Sequence, residues 1–329
     1  MPARAIDSPA FEVVPYRLRL LQPLHTSRGA IEFRDGFVVL ARDGALTGRG
    51  EAAPLPDFGT ETLEECRGEL MRASFDRLPE TPAARHAAEL ALLDLRCQRE
   101  GVPLAMLLDA RAPREVPVSA LLSARTMPEL AREAQQAVAE GFQTLKLKVG
   151  LDDDFARAAV VRDAVGPRIR LRLDANGAWT REQALRLLGE LSPLGIELCE
   201  QPTEDLAGLR GESPVRIAAD EMVAGAPSLA LERADVLVLK PMVLGGLLPA
   251  LRLGREALRR GLQIVVTSSL DGAIARAGAA HLAAALLADG PQPAAGLATG
   301  RLLAADLCAD LLAPRGGVIR IPDAPGLGL

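Results

Sequence analysis

The feature that most constrains this chain is a series of strand-like runs, each ending in a charged side chain and recurring every 20 to 26 residues. The terminal residues of these runs are Lys148, Asp174, Glu200, Asp220 and Lys240. One strand, one helix and two loops use roughly 20 to 28 residues, so the spacing predicts parallel strands joined by crossover helices. The carboxyl ends of such strands meet around one opening, which is where barrel enzymes build their active sites.

The order of the predicted elements indicates two units. Three strand-like runs followed by two helical patterns predict a separate α+β unit at 1–113. From 114 to 312, strands and helices alternate, with seven strands and a short eighth at 294–300. We therefore expect an α/β fold with a (β/α)7β-type TIM-like barrel. The tail, 313–329, contains a strand-like run outside this alternation that could return to the first unit.

Composition narrows the function classes. A chain of 329 residues that is 49% hydrophobic can bury a large core. The net charge of -5, scattered basic residues and only 3% aromatic residues disfavour nucleic acid as a partner. The first residues lack an apolar stretch, and no window of about 18 apolar residues occurs, so we expect no membrane partner. Four widely spaced cysteines are typical of a reducing compartment, and we expect a cytoplasmic location.

Three consecutive strand ends carry carboxylates, namely Asp174, Glu200 and Asp220. Hard carboxylate oxygens on separate rigid elements suit Mg²⁺, with Mn²⁺ as an alternative. The three histidines of the chain lie elsewhere, so softer metals would find few ligands. One such carboxylate alone would be read as a helix cap or a solvated loop residue, but three in succession favour a metal site.

Lys146 and Lys148 alternate with apolar residues, which places both lysines on one face of a strand. In a barrel that face is the inside, although an edge strand with solvated charges would show the same alternation. An inward lysine near a divalent cation and another lysine should lose its proton more easily, as a general base requires. Lys240, beyond the carboxylates, could be the opposing acid or a fixed cation. Together these groups suit abstraction of a proton next to a carboxylate.

The motifs around these residues resemble those of the enolase superfamily, in order and over nearly the whole chain. They are Lys146-x-Lys148 and the segments 173–179 (LDANGAW), 200–202 (EQP), 219–221 (ADE) and 239–246 (LKPMVLGG). The segment 48–54 resembles the part that the capping domain of the superfamily contributes over the barrel mouth, which makes 1–113 and the tail 313–329 a capping domain. The paired lysines are similar to those of the muconate lactonizing enzyme subgroup, whose members place them on opposite faces of the substrate.

Within this subgroup the chain is most similar to the o-succinylbenzoate synthase family, in its short length and in the segments 240–246, 266–271 and 295–300. The resemblance implies Mg²⁺-dependent syn dehydration of 2-succinyl-6-hydroxy-2,4-cyclohexadiene-1-carboxylate to 2-succinylbenzoate in menaquinone biosynthesis. It implies that Lys148 removes the ring proton and Lys240 stabilises the enolate. The partner would be a small-molecule carboxylate, and the oligomeric state stays open.

Other functions are compatible with these motifs. An N-succinylamino acid racemase would use the same lysines, whereas dipeptide epimerases usually carry Asp-x-Asp at the eighth strand, where 296–300 has no carboxylate. Muconate cycloisomerases are disfavoured by the short chain. A phosphate-binding barrel would use Ser268, Ser269 and Gly296 as an anion nest, although these groups could equally bind the succinyl carboxylate.

Several further positions have expected roles. Asn176, two residues after a metal ligand, is either a hydrogen-bond donor beside the metal ligands or a turn residue. Glu221 should point away from the site, into the barrel wall, if the strand before it continues. Arg28 could meet a substrate carboxylate or lie solvated. The loops 24–30 and 53–59 should close over the mouth and select the substrate.

Overall fold

The computed structural model describes residues 11–26, 29–151 and 153–329. It begins with an antiparallel sheet whose strands are β1 (Glu12–Thr26), β2 (Gly29–Asp43) and β3 (Leu46–Ala52). Three helices follow, namely α1 (Leu63–Arg72), α2 (Pro82–Glu100) and α3 (Leu104–Leu108). Strands followed by helices agree with the predicted order of this unit.

Helix α2 lies against β3 at very short range. A Cβ atom at Gly48 or Gly50 of β3 would overlap the backbone carbonyl of Ala91 or Ala87 in the helix. These glycines and the fully buried alanines that face them leave no room for larger side chains. The close approach explains why this strand carries Gly-x-Gly. The residue after the second glycine, Glu51, lies in the interior.

Seven parallel strands follow in sequential spatial order, so each pairs with its neighbour in the chain. They are β5 (Ala120–Leu122), β6 (Thr144–Lys148), β7 (Arg170–Asp174), β8 (Ile196–Glu200), β9 (Ile217–Ala219), β10 (Val236–Leu239) and β11 (Gln263–Val266). The intervening helices are α4 (Met127–Ala139), α5 (Asp154–Val165), α6 (Arg181–Leu191), α7 (Glu221–Gly225), α8 (Pro227–Arg233), α9 (Leu247–Arg259) and α10 (Ala273–Leu287). The predicted barrel architecture is confirmed.

The eighth barrel position differs from the predicted strand at 294–300. Only two residues pair there: Ala295 with Val118 and Gly296 with Thr267, both in parallel orientation. The chain then turns into a short 3-10 helix, Ala298–Leu302. These two residues close the barrel between β11 and β5, so a full strand is not needed.

The segment that leads into the barrel forms two short strands, β4 (Glu115–Pro117) and β5. The first of them, β4, pairs antiparallel with the C-terminal strand β12 (Val318–Arg320). The chain then pairs with a different segment, as the hydrogen bond from the N–H of Ser119 to the carbonyl of Ala295 shows. The tail therefore pairs with the entry to the barrel, and the proposed boundaries at 113 and 312 stay a prediction.

The last residues of the tail also contact the first unit. Gly326 exchanges backbone hydrogen bonds with Val102 and Leu104, and the N–H of Leu327 donates to Asp94 at 2.8 Å. Asp94 lies on α2, so the end of the chain is tied to the helix that packs on the antiparallel sheet.

The barrel interior is filled below its mouth. Small and branched side chains occupy it, namely Leu198, Ala218, Val236, Val238 and Val265. The larger apolar core lies between the strands and the surrounding helices. Because the lower interior is packed, polar side chains at the upper strand ends face only the mouth and what covers it.

Among the residues that the structure describes, no helix combines the length and the apolar character needed to cross a bilayer.

Two buried histidines predict a loss of stability in acid. In α10, Nδ1 of His281 accepts the N–H of Ala105 at 2.9 Å, and Nε2 faces the carbonyl of Leu327 at 3.3 Å. Burial lowers the pKa of His281 and of His86 to about 4. The unfolded chain, with histidine pKa values near 6.5, binds more protons than the folded chain below that pH. The free energy of unfolding should therefore fall as pH drops from about 6.5 to 4, by up to about 3 kcal/mol per histidine.

Urea unfolding at several pH values checks this prediction. Glu51, whose pKa is raised to about 7 by burial and by Asp271, contributes the opposite slope, so each variant must be compared with the wild type. His281→Asn keeps an acceptor near Ala105 and should flatten the slope by about one proton. An identical slope in this variant would show that His281 is not a source of the acid sensitivity.

Candidate active site

The carboxyl ends of five consecutive strands bring the five spaced residues into one arc. Lys148, Asp174 and Glu200 are the last residues of β6, β7 and β8, whereas Asp220 and Lys240 directly follow β9 and β10. Strands β6 and β10 lie four positions apart in a barrel with eight positions. The two lysines therefore stand on opposite sides of the mouth, with the three carboxylates between them.

Lys146, one pleat below Lys148, holds two of the carboxylates together. Its Nζ lies 2.5 Å from Oε2 of Glu200 and 3.0 Å from Oδ2 of Asp174. Burial alone would lower the pKa of Lys146, but Asp174, Glu200 and Asp220 outweigh it and raise the pKa above its ordinary value. The carboxylates around Lys146 thus stabilise its ammonium form, whereas the easier deprotonation expected for a lysine beside a divalent cation stays a prediction.

The carboxylates respond differently to the same surroundings. Burial raises the pKa of Glu200, and the ammonium group of Lys146 only partly counteracts this effect. Burial acts in the same direction on Asp174, but Lys146 and Lys148 outweigh it and the pKa of Asp174 is lowered. The mouth therefore holds carboxylates of unequal basicity within one buried group.

Lys240 forms the other end of the arc. Its Nζ lies 2.6 Å and 2.7 Å from the two carboxylate oxygens of Asp220. Burial would lower the pKa of Lys240, but Asp220 and Glu221 outweigh burial and raise it. The ring of Phe58, from the predicted loop 53–59, lies over this ammonium group at 5.8 Å. Lys240 is thus held as a cation, and 53–59 reaches the mouth.

Glu221 lies at the site, contrary to the expectation that it points into the barrel wall. Strand β9 ends at Ala219 and α7 begins at Glu221, so the alternation of the strand does not continue. Oε1 of Glu221 accepts a hydrogen bond from Nδ2 of Asn176 at 2.8 Å. The backbone N–H of Asn176 donates to Oδ1 of Asp174 at 3.2 Å, so Asn176 links the two carboxylates.

The donor set fits a hard divalent cation. Oδ1 of Asn176 and Oε2 of Glu221 are buried without a hydrogen-bond partner, and Oδ1 of Asp220 has an ion-pair contact with Lys240 but no aligned hydrogen bond. Four carboxylates face three ammonium groups here, which leaves one surplus negative charge. Within the described ranges no three ligand-type side chains converge on one point, because the carboxylates are turned toward the lysines. Asp174, Glu200 and Asp220 offer the oxygen ligands that Mg²⁺ prefers.

The wall beyond Lys240 carries hydroxyl groups. Oγ of Ser268 and Oγ1 of Thr299 are 2.6 Å apart, and Oγ of Ser269 is buried without a partner. The carbonyl of Gly296 accepts a hydrogen bond from Oγ1 of Thr267 at 2.9 Å. The segment 295–303 contributes no carboxylate to this wall. Ser268, Ser269 and Gly296, predicted to bind an anion, thus lie together at the barrel closure.

A cavity of about 1290 Å³ opens beside Lys148. Residues of β1, of the segment after β5 and of the short 3-10 helix at 298–302 line it. Arg125 and Arg301 bring two guanidinium groups to its walls, and the latter lies 3.1 Å from Glu140. Arg28 falls outside the described residues, as do the side chains of 24–29, so the expected role of that loop stays a prediction.

One signal that the motif reading did not use is the distribution of lysine. Only three of the 38 basic side chains are lysines, and all three stand at this mouth, while every other basic residue is arginine. Arginine is always charged, whereas lysine can exchange a proton. The restriction of lysine to Lys146, Lys148 and Lys240 is a signal in the sequence that points to this site.

Comparison with known proteins shows what the chain is similar to. Residues 129–329 match the family "Enolase C-terminal domain-like", and residues 10–86 match "MenC, N-terminal domain". The chain is 41% identical over 220 residues to an o-succinylbenzoate synthase of Thermobifida fusca, covering 63% of this chain and 66% of that enzyme. It is 32% identical over 343 residues to an L-Lys-D/L-Arg epimerase of Methylococcus capsulatus, covering 94% and 95%.

The same relationship is seen among solved structures. A dipeptide epimerase from Enterococcus faecalis, complexed with Mg and the dipeptide L-Leu-L-Tyr, superposes with a TM-score of 0.88. The sequence identity is 28%, and the match covers 98% of this chain and 99% of that one. With a family match over more than half its length and a relative that spans nearly all of it, the chain belongs to the enolase superfamily.

Proposed function

We propose that this protein is an o-succinylbenzoate synthase, which dehydrates 2-succinyl-6-hydroxy-2,4-cyclohexadiene-1-carboxylate to 2-succinylbenzoate in menaquinone biosynthesis. The observation that carries the proposal is the pair of lysines on opposite sides of a carboxylate arc, next to a wall that presents hydroxyl groups and receives no carboxylate from 295–303. The match to the MenC N-terminal domain and the similarity to the Thermobifida fusca enzyme support it.

In this proposal Lys148 is the general base. It is half-buried, lines the large cavity and stands at the end of the arc opposite Lys240. It removes the ring proton next to the carboxylate and returns that proton to the departing hydroxide, which leaves as water from the same face. One group on one face thus serves both steps, which is what a syn elimination requires.

Lys240 stabilises the negative charge that develops when the proton is removed. The contact with Asp220 keeps its ammonium group charged, and Phe58 shields it from water. Asp174, Glu200 and Asp220 would hold Mg²⁺, which supplies a fixed positive charge for the substrate carboxylate. Lys146 keeps two of these carboxylates in place through its short contacts.

The wall formed by Ser268, Ser269, Gly296 and Thr299 would receive the succinyl carboxylate. A carboxylate ligand finds hydroxyl donors there and no negative side chain from 295–303. A substrate ammonium, as in a dipeptide, would find no counter-charge from that segment, whereas dipeptide epimerases usually carry an Asp-x-Asp element at this position. The wall therefore favours a succinyl substrate over a dipeptide.

N-succinylamino acid racemisation is the second candidate. The arc places a lysine on each side of the mouth, so a proton removed on one face can be replaced from the other. N-succinylamino acids also carry the succinyl group that the hydroxyl wall would bind. The same residues could thus support both reactions.

Two assays on the purified protein with Mg²⁺ test the proposal. The cyclohexadiene substrate should yield succinylbenzoate, which is followed by chromatography and by its aromatic absorbance. N-succinylamino acids are incubated separately in D₂O, and deuterium at the α-carbon is measured by mass spectrometry. Absence of succinylbenzoate would refute the synthase, and deuterium incorporation without it would favour the racemase.

A phosphate-binding barrel makes the opposite predictions. Such a protein would be stabilised by phosphorylated sugars and would be indifferent to chelators. We expect that phosphorylated sugars leave the melting temperature unchanged and that a chelator abolishes turnover.

A further inference from the structure

A carboxylate of the antiparallel sheet holds the start of a barrel helix. Glu51 on β3 is fully buried, with 0% of its surface exposed. It accepts the hydroxyl of Tyr16 at 2.7 Å and the N–H groups of Gly272 and Ala275 at 2.5 and 2.9 Å. These amides open α10, so a residue far away in sequence provides the negative charge that a helix N-terminus favours.

A buried guanidinium group joins the same two regions. Arg34 on β2 donates to the carbonyls of Ala53 and Pro54 at 2.5 and 3.1 Å. Its Nε donates to the carbonyl of Leu270 at 3.2 Å. Arg34 therefore ties the segment that reaches the mouth to the loop between β11 and α10.

That loop has a conformation that needs support. Leu270 has a φ of 60°, in the left-handed region that residues with a Cβ atom disfavour. On the inner side, Asp271 accepts the N–H of Ser269 at 3.1 Å, and Arg276 donates to the carbonyl of Asp271 at 2.7 Å. Arg34 and Glu51 add contacts from the antiparallel sheet to this loop and to the start of α10.

We propose that Glu51 and Arg34 are positioning residues that set the geometry of 268–271 and thereby determine how tightly the substrate binds. Neither lies among the groups at the strand ends, and both act through the loop that presents Ser268 and Ser269. The inference rests on the proposed function only in taking the ligand of these serines to be the succinyl carboxylate.

The surroundings of Glu51 argue against a purely structural role. Burial, together with the nearby carboxylate of Asp271, raises its pKa to about 7, so the fold keeps a carboxyl group where ionisation is unfavourable. Three hydrogen bonds to the Glu51 carboxylate offset this rise in pKa. Two of their donors are backbone N–H groups at the start of α10. The arrangement favours a fixed connection between sheet and loop over generic core packing.

Glu61 provides a matched control. It is also buried, accepts one hydroxyl, from Thr81 at 2.9 Å, and accepts two helix-start amides, from Ala83 and Ala84 at 3.0 and 2.8 Å. These amides belong to α2, whose start does not carry the serine loop. Glu51→Gln and Glu61→Gln therefore remove the same kind of contact at two different helices.

Steady-state kinetics with the succinyl substrate separate the two roles. Glu51→Gln should raise KM at least about tenfold with kcat within about threefold of the wild type. Glu61→Gln should leave KM within about twofold. Equal KM values for Glu51→Gln and wild type, or equal effects of both substitutions, would overturn the proposal. If the wild type does not form succinylbenzoate, the proposed function fails, and the same comparison is made with the N-succinylamino acid on which it does act.

Hydrogen exchange gives a readout that needs no substrate. Amides of 268–275 should exchange at least about tenfold faster in Glu51→Gln than in Glu61→Gln, while those at the start of α2 should show the reverse. If Glu51→Gln fails to fold, Tyr16→Phe removes a single hydrogen bond from Glu51 and keeps the ring. It should raise KM about two- to fivefold, and an unchanged KM in this variant would overturn the proposal.

Discussion

Lys148→Ala is expected to lower kcat for the dehydration by about 10²- to 10⁴-fold, the contribution of a positioned general base. The contacts of Lys146 with Asp174 and Glu200 do not involve Lys148, so the fold and the metal response should persist. Turnover is measured at saturating Mg²⁺, and circular dichroism and thermal unfolding report the fold. Retained turnover would mean that another group is the base.

Lys148→Arg distinguishes a proton-transfer role of Lys148 from a purely cationic role. Arginine keeps the positive charge beside Asp174 but does not release its proton in proteins. If Lys148 served only as a cation, this substitution would restore much of the activity that alanine removes. We expect it to be nearly as inactive as Lys148→Ala, because the step needs a group that becomes neutral.

Glu200→Gln is expected to abolish the response of the protein to Mg²⁺. Glu200 is almost fully buried at the centre of the arc, and its carboxylate is one of the three proposed ligands. A cation that binds only the folded state stabilises it by about 2.7 kcal/mol at one hundred times its Kd. The wild-type melting temperature should therefore rise with Mg²⁺ and fall with a chelator, whereas Glu200→Gln should show neither change and should lose turnover.

Glu197→Gln controls for the loss of a buried charge. Glu197 lies on the same strand and pairs with the buried guanidinium of Arg172 at 2.5 Å, away from the proposed ligands. This variant should be destabilised, because one partner of a buried ion pair is lost, yet it should keep the Mg²⁺ response. An Mg²⁺ response in Glu200→Gln equal to that of Glu197→Gln would contradict the proposed ligand set.

The barrel and its arc could be predicted because both depend on local regularities. Apolar runs that end in Lys148, Asp174 and Glu200 indicate the length, direction and inward face of each strand. The spacing between these runs leaves room for one crossover helix. The eighth strand was overestimated, since pairing on both sides of Ala295 and Gly296 closes the barrel with two residues. The composition of 294–300 alone does not show that two paired residues are enough to close the barrel.

Other features of the site depend on electrostatics and on local conformation. The period of a strand places Glu221 in the barrel wall, but the strand ends at Ala219 and a helix begins at Glu221. The protonation of Lys146 depends on how many carboxylates surround it, which sequence spacing does not state. Contacts such as that of Glu51 with Gly272 join residues 221 positions apart, and no periodic pattern encodes them.

The order of the strands has a consequence for how such a protein can change. The proposed reactive groups stand at the ends of β6 to β10 without interruption, whereas the hydroxyl wall follows β11 and the closing pair at 295–296. The hydroxyl wall thus lies in a different sector of the ring from the proposed reactive groups. Substitutions in the wall could therefore alter which ligand binds without replacing any residue at the ends of β6 to β10.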